Sequence, residues 1–167
     1  MHLVPGSHDD SVVTRLAHLA DPALNRLSFL AMLPAMAERA SDVLEADGVV
    51  LFLTDDTGEL RVRAHVGDGV YEDEIPEVVR RVAATLFAAR DGRTGAVALV
   101  SEGSLLGVLF ARSHDRRFSD DDMLLLQVAA NRCAGAAAAA RLRATQRKLE
   151  TKGKVVKIPT ERGARTR

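Results

Sequence analysis

Apolar residues recur at helical spacing between residues 21 and 45 of the chain. Asp21 and Pro22 form a typical helix start, because aspartate caps free N–H groups and proline suits the first helical position. Pro34 interrupts the apolar pattern, and a proline inside a helix removes a backbone hydrogen bond. We therefore expect a break or kink at Pro34 and a main helix over residues 34–45.

A β-hairpin is predicted next, over residues 49–66. Residues 49–53 are all apolar, which is typical of a buried strand, and the turn residues Asp55–Gly58 follow them. Apolar and polar residues then alternate from Leu60 to Val66, as in a strand with one buried face.

The second half of the chain repeats this order of elements. An amphipathic segment that begins at Ile75 and Pro76 predicts a helix to about Arg90. A second hairpin is expected from strands at residues 97–100 and 105–112, because these two apolar runs flank a turn that contains glycine.

The last predicted element is a long helix that begins at Ser119. Ser119 and Asp122 resemble a capping box, and the three aspartates at 120–122 suit the positive end of a helix. An apolar stripe then runs from Leu124, and the helical pattern continues to about Lys148. The order helix, hairpin, helix, hairpin, helix predicts an α+β fold, an antiparallel β-sheet flanked by N- and C-terminal helices, with the helices on one face.

The composition agrees with one globular domain, since 47% of the residues are apolar and 28% are charged. No apolar stretch reaches the ~18 residues of a membrane helix, and Met1–Asp10 lacks the pattern of a signal peptide. We therefore expect a soluble, cytoplasmic protein with no membrane partner and a domain over residues 21–148. Residues 1–20, which begin like the remnant of an expression tag, are expected to be flexible.

Charge is distributed unevenly along the chain. Residues 141–167 contain ten lysines and arginines against two glutamates, a net charge of +8, whereas residues 1–140 carry −8. We interpret residues 149–167 as a basic disordered tail. A basic tail can also bind nucleic acid by counterion release, but this one has no aromatic residue to stack on bases, so nucleic-acid binding is the less favoured alternative.

Four stretches of the sequence resemble a known family. They are Ala46–Leu53, Gly58–Gly67, Ser104–Arg112 and Arg117–Gln127, in this order and at this spacing. Together they are similar to the GAF domain, a ligand-sensing and dimerising module of signalling proteins, over about residues 26–145. The resemblance implies a regulatory or sensory function and a homodimer formed through the terminal helices. It also implies a signalling partner such as a kinase, a phosphatase or a transcription regulator.

The segment between the two hairpins departs from the family pattern. Only Asp68–Gly95 lie there, fewer residues than typical members use for a lid and a ligand pocket. The signature of the cyclic-nucleotide-binding members is not visible. The cysteines of the tetrapyrrole-binding and methionine-sulfoxide-reducing members are absent. The cofactor is therefore left unknown, and the alternative to a ligand sensor is a ligand-free structural or protein-interaction adaptor.

The ligand-binding candidates are residues near the expected pocket. His65 ends the second predicted strand, and its imidazole could bind haem or another small molecule. The alternative interpretation is a histidine that faces solvent from an edge strand. Phe52, Leu86 and Phe87 complete the candidate set.

The remaining polar candidates have structural explanations. Cys133 is the single cysteine, which excludes an internal disulfide and a multi-cysteine zinc site, and packing is favoured over redox sensing. The aspartates at 55–56 and 120–122 suit a turn and a helix start better than paired acids or a calcium site. We predict no metal site and no catalytic constellation, and hence a protein that is not an enzyme.

Small residues from Gly135 to Ala140 would let another element approach the last helix closely. This surface could pack on the sheet of its own domain or on the same helix of a second copy. The resemblance to GAF domains favours the second use. The candidate dimer interface consists of Leu30, Ala129, Cys133, Ala136, Ala137 and Ala140.

Overall fold

The computed structural model of the chain describes residues 9–68 and 74–154. A five-stranded antiparallel sheet with the strand order β2-β1-β5-β4-β3 forms its centre. The strands are β1 (Gly48–Thr54), β2 (Leu60–Gly67), β3 (Ala89–Asp91), β4 (Thr94–Ser101) and β5 (Ser104–Arg112). The α-helices of the described residues are α1 (Asp9–Leu19), α2 (Phe29–Leu44), α3 (Glu77–Thr85) and α4 (Asp120–Lys154). This is the α+β fold that the order of predicted elements indicates.

Both predicted hairpins are confirmed. β1 pairs with β2, and β4 pairs with β5. The hairpins join where β1 pairs with β5, so that Leu51 lies opposite Leu109. The continuous apolar run of β1 has a simple cause, since a central strand is covered on both faces. Val49 and Leu51 pack on one side of the sheet, and Val50 and Phe52 pack on the other.

The two faces of the sheet have separate apolar cores. α2 and α4 cover one face, with α1 packed on both helices, and most of the core lies there. α3 covers the opposite face through Val78, Val79 and Val82, which pack with Phe52 and Phe110. The domain therefore has three layers, with helices on both sides of one sheet. The prediction that the helices lie on one face is wrong, because the valines of α3 cover the second face.

The first long helix differs from the prediction at Pro34. α2 begins at Phe29 and runs through Pro34 without a break. The hydroxyl of Ser28 caps it by accepting a hydrogen bond from the N–H of Ala31 at 3.3 Å. Pro34 lies in the second turn, where it costs the helix a single backbone bond, to the carbonyl of Leu30, while the later turns pack on the core. The predicted break is therefore wrong.

The chain before α2 is also more regular than predicted. α1 occupies residues that were expected to be flexible, and its last residue, Leu19, is buried in the core. A short 3₁₀ helix follows over Pro22–Arg26, and Asp21 caps it by accepting a hydrogen bond from the N–H of Ala23 at 2.8 Å. The prediction for residues 1–8 lies outside the described residues.

The second helix is shorter than predicted. α3 ends at Thr85, because Leu86 has a positive φ of 62° that turns the chain out of the helix. The following residues form β3, an edge strand in which Ala89 lies opposite Ala96 of β4, instead of more helix towards Arg90.

α4 begins as predicted and ends later than predicted. The Ser119 hydroxyl accepts a hydrogen bond from the N–H of Asp122 at 3.1 Å, and the Asp122 carboxylate accepts one from the N–H of Ser119 at 2.8 Å. This is the reciprocal capping box. The first residues of the expected disordered tail, 149–154, are helical, and residues 155–167 lie outside the described residues. α4 is long and apolar enough to cross a membrane by length and composition alone, yet 39% of its most apolar window is buried inside the domain.

Candidate functional site

Side chains fill the α3 side of the sheet, where the family resemblance implies a ligand pocket. Val79 and Val82 of α3 are completely buried, and so is Phe52 in the sheet beneath them. α3 therefore packs directly on β4 and β5. The candidate Phe52 is a core residue of this layer.

The other three ligand-binding candidates lie at the surface. His65 is opposite Val50 in the β1–β2 pair, which turns it to the α3 side, but it is exposed there. Leu86 and Phe87 follow the end of α3, and Phe87 is 78% exposed. The structure does not bring the four predicted residues into one buried pocket. The early end of α3 explains this, because it turns Leu86 and Phe87 away from the core.

The opposite side of the sheet has an open cavity. It has a volume of about 450 Å³ and lies between α2, the adjoining ends of β1 and β2, and α4. Both apolar and cationic residues line it, including Leu33, Leu53, Ala137, Thr54, Arg63 and Arg141. Arg141 is held in place because its Nη2 donates to the carbonyl of Thr54 at 2.9 Å and to the Thr54 hydroxyl at 2.6 Å. We call this space the α2–α4 cavity.

Beyond the α2–α4 cavity, α4 continues as a projecting segment, residues 141–154. Every residue from Arg141 to Gly153 is exposed. Leu142 is 61% exposed and Leu149 is 65% exposed. They are seven positions apart, so both lie on one stripe of the helix. An isolated exposed leucine is ordinary, and these two share one stripe of a helical segment that the core of the domain does not cover.

The predicted dimer interface is divided between the core and the surface. Ala129, Cys133 and Ala137 are buried within their own protomer, so their assignment to a dimer interface is wrong. The physical reason is that α4 turns this stripe of small residues towards its own sheet and α2. Ala136 and Ala140 are half-buried, whereas Leu30 at the start of α2 is 79% exposed.

The thiol of Cys133 is unsuited to chemistry at neutral pH. It lies in the core between α4 and the sheet, and burial raises its pKa to about 12. A thiolate is the reactive form of cysteine, and burial keeps this thiol protonated. The packing interpretation of Cys133 therefore agrees with its environment.

An ion pair with a buried carboxylate stabilises the start of α4. The guanidinium of Arg116 contacts the carboxylate of Asp122 through Nη1 at 2.5 Å and Nη2 at 3.2 Å, and Nη2 also donates to the carbonyl of Leu44. Burial by itself would raise the pKa of Asp122. The hydrogen bonds from Arg116 and Ser119 outweigh that effect and lower the pKa. Asp122 is a structural carboxylate that joins α4 to the end of α2.

A second polar cluster lies where β1 begins and β2 ends, beside the chain that leaves β5. The Nε2 atom of His114 is 2.8 Å from the Asp68 carboxylate, and this hydrogen bond lowers the pKa of Asp68. The backbone N–H of His114 donates to the carboxylate of Asp47 at 2.5 Å. Within residues 9–68 and 74–154, no group of three or more histidine, cysteine, aspartate or glutamate side chains is placed to hold a metal ion.

The comparisons with known proteins identify the family. The GAF domain model matches residues 28–137, which include the whole sheet and the buried half of α4. The match covers more than half of the chain, which therefore belongs to the GAF domain family. GAF domains are commonly sensory or regulatory modules. No curated protein sequence matches the chain significantly.

Solved structures agree with this assignment at the level of the fold. The GAF domain from a phosphoenolpyruvate-protein phosphotransferase of Coxiella burnetii has 17% sequence identity and a TM-score of 0.71, with 83% of this chain and 99% of that chain covered. A free methionine-R-sulfoxide reductase from Neisseria meningitidis has 22% identity and a TM-score of 0.70, with 86% and 99% covered. The second GAF domain of DevS from Mycobacterium smegmatis has 21% identity and a TM-score of 0.57, with 70% and 95% covered.

Proposed function

We propose that this GAF domain is a non-catalytic regulatory module that forms a homodimer through its terminal helices and transmits a signal along α4. The observation that carries the proposal is the projecting segment with its two exposed leucines. In the body of the domain, α4 packs on the sheet and α2, so the stripe that faces a second copy is a different one from the buried alanine stripe.

The contact surface of the proposed dimer centres on α4. Leu142 and Leu149 supply two apolar side chains on one stripe of α4, as in one strand of a coiled coil. Leu30 is exposed at the start of α2, but it lies beside Ala140 and Ala144, on a different face of α4 from the two leucines. Burying a leucine side chain stabilises an interface by about 2 kcal/mol, so the two leucines on each side make the projecting segment the main contact.

A ligand-free adaptor is the second candidate function. It is supported by the packing of α3, whose valines occupy the space beside Phe52. In this alternative, the signal is a partner protein, such as a kinase, phosphatase or transcription regulator, that binds the projecting segment. A cytoplasmic location suits both functions and stays a proposal.

The dimer is tested by light scattering after size exclusion at tens of micromolar protein. The wild-type chain should have the mass of two copies, and the double variant Leu142→Ser, Leu149→Ser should have the mass of one. The matched control is Leu124→Ser, Phe87→Ser, which removes two exposed apolar side chains away from the projecting segment. A monomeric wild-type chain, or a double variant that remains dimeric, would refute this interface.

A further inference from the structure

We propose that the α2–α4 cavity binds a medium-chain carboxylate, a small molecule with an anionic head and an apolar body. This deepens the proposed function by assigning its ligand class, and the consequence of binding for signalling rests on that function. The cavity volume of about 450 Å³ lies within the ordinary range of small-molecule sites. It lies on the opposite face of the sheet from the valines of α3.

The walls of the cavity are suited to an apolar ligand body. Leu33, Leu53 and Ala137 belong to the buried core and form its inner surface, and Phe29 and Leu30 contribute apolar surface from the first turn of α2. Binding of an alkyl chain here removes apolar surface of both the ligand and the protein from water, because Leu30 is itself largely exposed.

The positive charge of the cavity lining favours an anionic ligand. Arg63 and Arg141 both line the cavity. Among the described residues, neither guanidinium has a carboxylate within ion-pair distance. Arginine has five N–H donors in a planar fork, and Arg141 uses only Nη2 to hold Thr54. Its remaining donors are available to a carboxylate, which suits the geometry of a guanidinium.

The position of Arg141 connects such a ligand to α4. Arg141 is the first residue of the projecting segment, and its contact with Thr54 ties the helix to the end of β1. A carboxylate that binds this guanidinium contacts α4 where the helix leaves the body. The occupied cavity is therefore placed to bias the direction of the projecting segment.

The test is isothermal titration calorimetry on the full chain with octanoate, and with 1-octanol as the neutral analogue of the same chain length. We expect octanoate to bind at least tenfold more tightly than 1-octanol. Arg141→Gln and Arg63→Gln should each weaken octanoate about tenfold. Ala144→Phe, which places a ring at the cavity lining, should abolish binding. The matched control Arg147→Gln removes an α4 arginine that does not line the cavity and should leave the affinity unchanged.

Two results would overturn the assignment. Equal binding of octanoate and 1-octanol would mean that the cavity is only an apolar cleft, and no binding of octanoate would mean that it is not a carboxylate site. Light scattering on the same samples separates this failure from failure of the proposed dimer. A monomer that binds octanoate would support the carboxylate site and refute the dimer. A dimer that does not bind octanoate would support the dimer and refute the carboxylate site.

Discussion

Arg116 and Asp122 form a two-point ion pair in which the carboxylate is only 2% exposed and the guanidinium also binds the carbonyl of Leu44. The pair therefore joins the last residue of α2 to the first turn of α4. A buried carboxylate is tolerated here because three groups satisfy it, namely the guanidinium of Arg116 and the backbone and side chain of Ser119.

Replacement of this carboxylate by an amide should destabilise the domain. Asp122→Asn removes the charge that faces Arg116 and weakens the capping box, so we expect the free energy of unfolding to fall by about 2 kcal/mol. The loss is smaller than for a fully buried pair, because the Arg116 side chain is about a third exposed and water screens it. Urea denaturation followed by circular dichroism measures the change.

The control for this measurement is Asp121→Asn, in the same helical turn. The Asp121 side chain is exposed and makes no hydrogen bond or ion pair with another described residue, so its replacement should change the free energy of unfolding by less than about 0.5 kcal/mol. Equal effects of the two substitutions would contradict a special contribution from Asp122.

The same pair predicts how stability depends on pH. The pKa of Asp122 is lowered in the folded state, so the unfolded chain takes up the proton at a higher pH than the folded chain does. The stabilisation is complete above the unfolded value of about 3.9 and is lost as the pH falls through the folded pKa. The stability difference between the wild-type chain and Asp122→Asn should therefore shrink below about pH 4. A difference that stays constant from pH 6 to pH 3 would contradict this assignment.

Phe52 and Phe87, which the sequence predicts in one ligand pocket, should differ strongly in their contribution to the free energy of unfolding. Phe52 is fully buried between the sheet and α3, so Phe52→Ala should lower the free energy of unfolding by about 4 kcal/mol. Phe87 is mostly exposed, so Phe87→Ala should change it by less than about 0.5 kcal/mol. Denaturant unfolding of the two variants gives this comparison directly. A large loss from Phe87→Ala would mean that Phe87 has packing partners that the structure does not show.

The burial of Cys133 predicts slow reaction with thiol reagents. In the native protein at pH 8, Ellman's reagent should label Cys133 only as fast as the domain opens, because the thiol is covered and its pKa is raised to about 12. In 6 M urea the thiol should react within the mixing time of a stopped-flow experiment. Fast labelling of the folded protein would favour the redox-sensing interpretation.

The charge of the projecting segment predicts an unusual salt dependence of the dimer. Residues 141–154 contain six lysines and arginines and one glutamate, a net charge of +5, so two copies of the segment repel each other. Raising the NaCl concentration from 50 to 500 mM should tighten the dimer by a factor on the order of ten, because salt screens this repulsion. Sedimentation equilibrium measures the dissociation constant of the dimer. The double variant Lys148→Gln, Lys152→Gln should dimerise more tightly than the wild-type chain at low salt, and its dissociation constant should depend less on the NaCl concentration.

The sheet and the last helix were predictable because their signals are local. The continuous apolar run at residues 49–53 indicates a central strand, and the spacing of Ser119 and Asp122 is enough to indicate a capped helix start. The break predicted at Pro34 is absent because the later turns of α2 pack on the core, which offsets the local cost of the proline. β3 was not predicted, because a three-residue edge strand has too few positions to show a pattern.

The polar contacts around the site were not predictable in the same way. Thr54 and Arg141 are 87 residues apart, and Arg116 reaches a backbone carbonyl 72 residues earlier, so no spacing in the sequence indicates either contact. Of the small residues from Gly135 to Ala140, only Ala137 is buried, and no atom lies within 4 Å of a Cβ added at Gly135. The choice between its own sheet and a second copy depends on which way the helix faces, and this is decided by the fold as a whole.

α4 is one uninterrupted helix of 35 residues whose two halves have different surroundings. With a rise of about 1.5 Å per residue, the exposed half reaches about 20 Å beyond the domain. Because the backbone has no hinge at the boundary, a few degrees of rotation in the buried half turn Leu142 and Leu149 through the same angle. A change in the packing of the buried half would therefore be felt at the far end of α4 without any rearrangement of the residues in between.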